Sequence, residues 1–138
     1  MILEGKSLCS TDQKIIVSTE NKRTHKGINQ SSCVYHYKID GDVISKEDRR
    51  LRCDYILENE SLREVYIIEL KGTDVEHAAD QIESTLEIFN NKLKGYVIKP
   101  RIVYRSNTHG INSVRILRFK KMFPESILKT NRIEEIIG

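Results

Sequence analysis

The run CDYILENESLREVYIIELKG, residues 53–72, decides how this chain is read. Two β-prone segments, 51–58 and 64–71, flank a polar loop at 59–63, the pattern of an antiparallel hairpin. The second segment is continuously apolar from 65 to 68, as a strand covered on both faces must be. A register centred on the loop sets Asp54 opposite Glu69, where Cβ atoms stand about 5 Å apart. Glu69 and Lys71 are two residues apart on one strand and therefore share a face. Facing carboxylates repel on a bare sheet, and a divalent cation reverses the sign of that interaction. Lys71 beside them suits the positioning of a water and the stabilisation of charge developing on a phosphate. The competing reading of these three residues is an ordinary ion-pair cluster on a sheet face.

Outward from the hairpin, residues 74–93 carry Val75, Ala78, Ala79, Ile82, Leu86, Phe89 and Leu93 at the spacing of one helical face. Thr73 with Glu76 makes a capping-box pattern, and Gly95 stands just past the end. Strands are expected at 101–105 and 113–119 around a turn at 106–110, with an amphipathic helix closing the chain over 124–137. Upstream, 14–19 is strand-like and 20–32 is polar and loop-like. Residues 33–39 and 42–45 flank Asp40-Gly41, a strong hairpin signal. The result is a single α/β (α+β) domain over 1–138: an antiparallel β-meander, a central helix and further strands.

A chain of 138 residues, 38% hydrophobic and 31% charged, supports one folded core and is too rich in Ile, Leu and Val for disorder. Three cysteines, Cys9, Cys33 and Cys53, have no paired spacing, which disfavours a disulfide scaffold or zinc ribbon and fits a reducing, cytoplasmic setting. Residues 1–10 carry Glu4 and Lys6 and lack the apolar stretch of a signal peptide, and no run approaches a membrane span. The formal charge of +3 conceals an asymmetry. Residues 1–91 carry a net −5, whereas 92–132 carry 11 Lys and Arg against Glu125 alone, a net +10. Such a segment attracts a polyanion, although a merely solvated basic surface has the same composition.

The hairpin with Asp54, Glu69 and Lys71, followed by a helix with an Ala-Ala-x-Gln run, resembles the PD-(D/E)XK nuclease superfamily. That resemblance implies a restriction-endonuclease-like mixed sheet and a Mg²⁺-dependent hydrolysis of phosphodiester bonds, with Mn²⁺ as a substitute. It also implies that Asp54, Glu69 and the Leu70 carbonyl hold the metal, that Lys71 assists the attacking water, and that Gln81 supports the site. The core of that family opens with a helix that can supply another acid; residues 1–32 do not read as one, and Glu20 is the candidate in its place. The expected partner is nucleic acid, DNA before RNA, with a homodimer as the working unit and no membrane. The alternative is a catalytically inactive module of the same fold that binds nucleic acid or protein.

Gln81 borders the apolar helix face and reads equally as a capped core glutamine. His77 lies one turn earlier and can face the same cleft, whereas His25, His36 and His109 have no partner at ligand spacing. Strand alternation turns Cys53 away from Asp54, into the core.

Overall fold

A computed structural model describes residues 1–3, 8–11, 13–30, 32–106 and 108–138. Glu4 and Lys6, and Asn107 of the expected turn, lie outside the described residues. In chain order the elements are β1 (Leu8–Thr11), β2 (Ile15–Glu20), β3 (Arg23–Ile28), β4 (Val34–Lys38), β5 (Tyr55–Asn59), β6 (Glu64–Leu70), α1 (Val75–Ile88), a 3₁₀ turn (Asn90–Lys92), β7 (Val97–Tyr104), α2 (Val114–Met122), β8 (Ile127–Thr130) and β9 (Arg132–Ile136). They form a mixed α/β fold with a six-stranded sheet, β1-β4-β5-β6-β7-β8, and a three-stranded sheet, β2-β3-β9.

The predicted hairpin is present. β5 and β6 are antiparallel with Tyr55 opposite Ile68 and Asn59 opposite Glu64. β6 is covered on both faces, as its unbroken apolar run requires. Val65 and Ile67 pack with Ile56 against α1 and α2, whereas Tyr66, Ile68 and Leu70 pack with Ile16, Ile133 and Ile137 of the smaller sheet. The molecule is thus layered: helices, large sheet, small sheet. β6 also changes the pairing mode, because β7 and then β8 join it in parallel. Among the described residues no helix is long and apolar enough to cross a membrane.

The helix expected at 74–93 runs as α1 and yields to the 3₁₀ turn. Its cap is Asp74, whose carboxylate accepts from the His77 amide at 2.9 Å, and not the Thr73–Glu76 box. Four further expectations are corrected. Residues 20–32 are not a loop: β3 pairs with β2 through a turn in which Asn21 and Lys22 have φ of 46° and 67°. Its polar residues face outward, and inward it places only His25 and Gly27. A Cβ at Gly27 would come within 3.0 Å of Ile137, so the strand's lack of apolar bulk is what lets the sheets close. Residues 42–45 are not a strand. Gly41 (φ 87°) doubles the chain back, its amide bonds Ile44 at 2.8 Å, and β4 pairs with β5 instead.

Residues 113–119 belong to a helix, α2. Ser113 caps it by accepting from the Ile116 amide at 3.3 Å, and Ile116 and Phe119 are buried three apart. β-branched content pointed to a strand, and packing against α1 and the sheet overrode it. The helix expected over 124–137 is two strands, β8 and β9, hinged at Asn131 (φ 60°). The inward residues of β9 and its extension are Ile133, Glu135 and Ile137; the charged middle one breaks the apolar alternation on which strand reading depends.

Glu135 is tolerated there because it is fully paired. Arg101, 3% exposed, donates to its two oxygens at 2.6 and 2.9 Å, and the His25 ring adds a contact at 2.8 Å. The Arg101 guanidinium also lies over the Tyr66 ring at 5.2 Å. Burial alone would raise the Glu135 carboxyl; the hydrogen bonds from His25 and Arg101 outweigh it and hold it at about 2. Its folded value is depressed, so its stabilisation is present above the ordinary 4.5 and is lost as pH falls towards 2. Glu135→Gln strands Arg101 in the interior and should cost about 3 kcal/mol at pH 7. Urea melts at pH 7 and pH 3 check this, with the gap between wild type and variant closing at the lower pH.

Candidate active site

The ladder between β5 and β6 continues one residue beyond the strand, because the Asp54 amide donates to Ile68 O at 3.1 Å. Asp54 therefore faces Glu69, in the register the sequence implies. By the alternation of β6, Glu69 shares the helix-facing side of the sheet with Val65 and Ile67. Asp54 Oδ2 accepts from the Leu70 amide at 2.8 Å, which fixes its carboxylate across the hairpin. Both acids are buried, Asp54 at 8% and Glu69 at 2% exposure.

α1 holds the segment leading into Asp54. The Gln81 amide donates to Arg52 O at 3.2 Å, Ser84 Oγ to Leu51 O at 2.6 Å, and Thr85 Oγ1 accepts from the Cys53 amide at 2.7 Å. Gln81 is thereby placed against the strand end that carries Asp54. Lys71 follows β6 directly and is anchored by its own amide to Val103 O at 2.8 Å. The structure thus gathers Asp54, Glu69, Leu70, Lys71 and Gln81 at one end of the hairpin. His77 is half-buried on α1, where its backbone serves the Asp74 cap. Cys53 is buried on the helix side, the same side as Asp54, because the chain there has left the strand and alternation no longer applies. Burial pushes its thiol well up, so it is core and no nucleophile.

Electrostatically the site is short of positive charge. Burial pushes the Asp54 carboxyl up to about 6; the Leu70 hydrogen bond opposes the rise, and the charges of Glu20 and Asp40 add to it. Glu69 is pushed well above its ordinary range by burial and by Asp54, with Lys71 countering only part of this. The interaction between the two carboxyls opposes the rise of Asp54 and adds to that of Glu69. Two buried oxygens, Glu69 Oε1 and Gln81 Oε1, have no hydrogen-bond partner. Among the described residues no three His, Cys, Asp or Glu side chains cluster closely enough to hold a metal by themselves. An acid pair still suits Mg²⁺, which takes one or two carboxylates and completes its shell with waters and phosphate oxygens. The residues present fit such an ion: all-oxygen donors, excess negative charge and an oxygen without a partner.

Sequence reading missed the tethers from Ser84 and Thr85 and the influence of Asp40. Thr85 was detectable in principle: a polar residue three after Ile82 on a buried helical stripe needs a partner.

Both acids have raised folded values, so their contribution to stability is complete at low pH and is lost as pH rises, for Asp54 through about 6. In metal-free protein this costs on the order of 2 to 3 kcal/mol at pH 8. Asp54→Asn should therefore raise the metal-free melting temperature at pH 8 and leave it nearly unchanged at pH 4.5. Millimolar Mg²⁺ or Mn²⁺ should stabilise wild type at pH 8 and leave the variant unmoved; thermal melts in chelator and in metal read both effects. No family model, curated protein or solved structure matches the chain, so its function is read from this arrangement of side chains.

Proposed function

We propose that this chain is a metal-dependent nuclease with a restriction-endonuclease-like core of the PD-(D/E)XK kind, hydrolysing phosphodiester bonds of DNA. The observation that carries the reading is the pair Asp54 and Glu69, buried face to face with Glu69 Oε1 lacking a partner. A purely structural ion-pair cluster would satisfy these groups, whereas a metal site leaves them short of positive charge until it is loaded. The order of elements supports the same reading: an antiparallel meander β4-β5-β6, the helix α1, then β7 in parallel beside β6.

Asp54 and Glu69, with the Leu70 carbonyl, would hold Mg²⁺ or, in its place, Mn²⁺. When bound, that ion supplies positive charge to a phosphate oxygen and lowers the pKa of water. Lys71 orients the attacking water and offsets charge on the phosphate. Gln81, held to Arg52 O by its amide nitrogen beside the segment that carries Asp54, steadies the site. Arg105, whose amide bonds Gly72 O at 2.9 Å, follows β7 beside the end of β6 and would serve the DNA backbone. Each chain offers one site, so cutting both strands calls for a homodimer; the setting is cytoplasmic.

The test is cleavage of plasmid, single-stranded and branched DNA with Mg²⁺ or Mn²⁺. Lys71→Ala should reduce the rate by about 100-fold or more while leaving the fold intact. Undiminished cleavage by that variant removes the assigned site. Calorimetry with Mn²⁺ separates the alternative: no metal binding and no cleavage, with salt-sensitive DNA retention intact, makes the chain a non-catalytic module of the same fold.

A further inference from the structure

The basic segment does not remain uniformly free once folded. Arg101 is buried against Glu135, Lys99 pairs with Glu64, Arg115 with Asp80 and Glu83, and Arg132 with Glu134. Among the described residues, the cations left without an acidic partner include three on α2: Arg118, Lys120 and Lys121, all exposed. α2 seats Ile116 and Phe119 in the core and turns Val114, Leu117, Arg118 and Lys121 outward at i, i+3, i+4 and i+7. Val114 is 63% exposed and Leu117 54%. The outward stripe therefore has an apolar half and a basic half. Its apolar half starts at Val114, one residue past the cap, and the loop leading into α2 reaches the end of β6, where Thr108 bonds Gly72 O at 3.2 Å.

Resting on the nuclease reading, we propose that the outward face of α2 is a docking surface for DNA whose bases are unpaired or splayed, such as a fork or single-stranded flank beside the scissile bond. Charge complementarity selects a polyanion, since the outward stripe carries cations and no acid. The apolar half selects among polyanions. A continuous B-form duplex presents phosphates outward and keeps its base faces stacked, so Val114 and Leu117 gain nothing from it; unstacked bases give them an apolar surface to cover. Arg118 and Lys121 then hold phosphates, and Val114 and Leu117 hold a base. An anionic membrane is the lesser fit, because two exposed apolar residues on a nine-residue helix make too small a buried stripe.

Binding is measured without metal, in chelator, with the full chain against labelled forked DNA, blunt duplex of equal length and phosphatidylserine vesicles. Wild type should prefer the fork. Arg118→Ala with Lys121→Ala should weaken fork and duplex alike and reduce the slope of log affinity against log salt by about 2. Leu117→Ser should lower affinity for the fork about fivefold, leave the duplex unchanged and leave the melting temperature unchanged. Equal affinity for fork and duplex, an unaltered salt slope, or binding to vesicles and not DNA overturns the inference. Because no metal is present, fork preference that survives loss of cleavage refutes only the nuclease reading, and cleavage untouched by the α2 substitutions refutes only this one.

Discussion

The register of one hairpin governs this molecule. Because side chains alternate with a period of two, sliding β5 by a single residue against β6 would send Asp54 to the small-sheet side and leave Glu69 facing an apolar neighbour. Two hydrogen bonds guard against that slip: the Asp54 amide to Ile68 O, and Asp54 Oδ2 from the Leu70 amide. α1 adds a second constraint. Through Gln81, Ser84 and Thr85 it grips residues 51–53, where the strand has ended and the ladder alone no longer sets the backbone. The end of the hairpin that carries Asp54 is thus held by side chains of a helix, while the rest is held by its neighbours in the sheet.

The two faces of the large sheet treat buried charge in opposite ways. Between the sheets, Glu135 has partners for both oxygens in Arg101 and His25, and its carboxyl is held at about 2. On the helix side, Asp54 and Glu69 are more deeply hidden, face each other and are pushed up. The first arrangement stabilises a fold; the second gives up stability at neutral pH and makes sense where a cation enters from outside. Within one chain, a carboxylate met by cations is held down and a pair of facing carboxyls is pushed up.

What was legible in the sequence divides along the same physical lines. The central hairpin, α1 and the facing of Asp54 with Glu69 followed from apolar runs, turn residues and parity, because these are local or set by one pairing. The errors fell where a distant partner decides. β3 looks like a polar loop until β9 arrives beside it, and β9 looks helical because its inward middle residue is Glu135, acceptable only once Arg101 of β7 is in place. α2 looks like a strand until Ile116 and Phe119 find the sheet and α1. The charge asymmetry was real as composition, but folding neutralised part of it by pairing Arg101, Lys99, Arg115 and Arg132 with acids that lie far away in sequence or at the end of the same strand.

The parallel pairing of β3 with β9 joins Thr24 to Arg132, more than 100 residues apart. During synthesis the β2–β3 hairpin is made early, yet it must wait for β9, and Asn131 becomes the clasp by bonding Tyr104 on one side and Thr24 on the other. Loop closure of that span is slow and comes late. Glu20, at the end of β2, adds to the rise of the Asp54 carboxyl through its charge, and it takes its place only once β9 has paired with β3. The charge environment of Asp54 is therefore completed by a long-range pairing, among the last contacts to form.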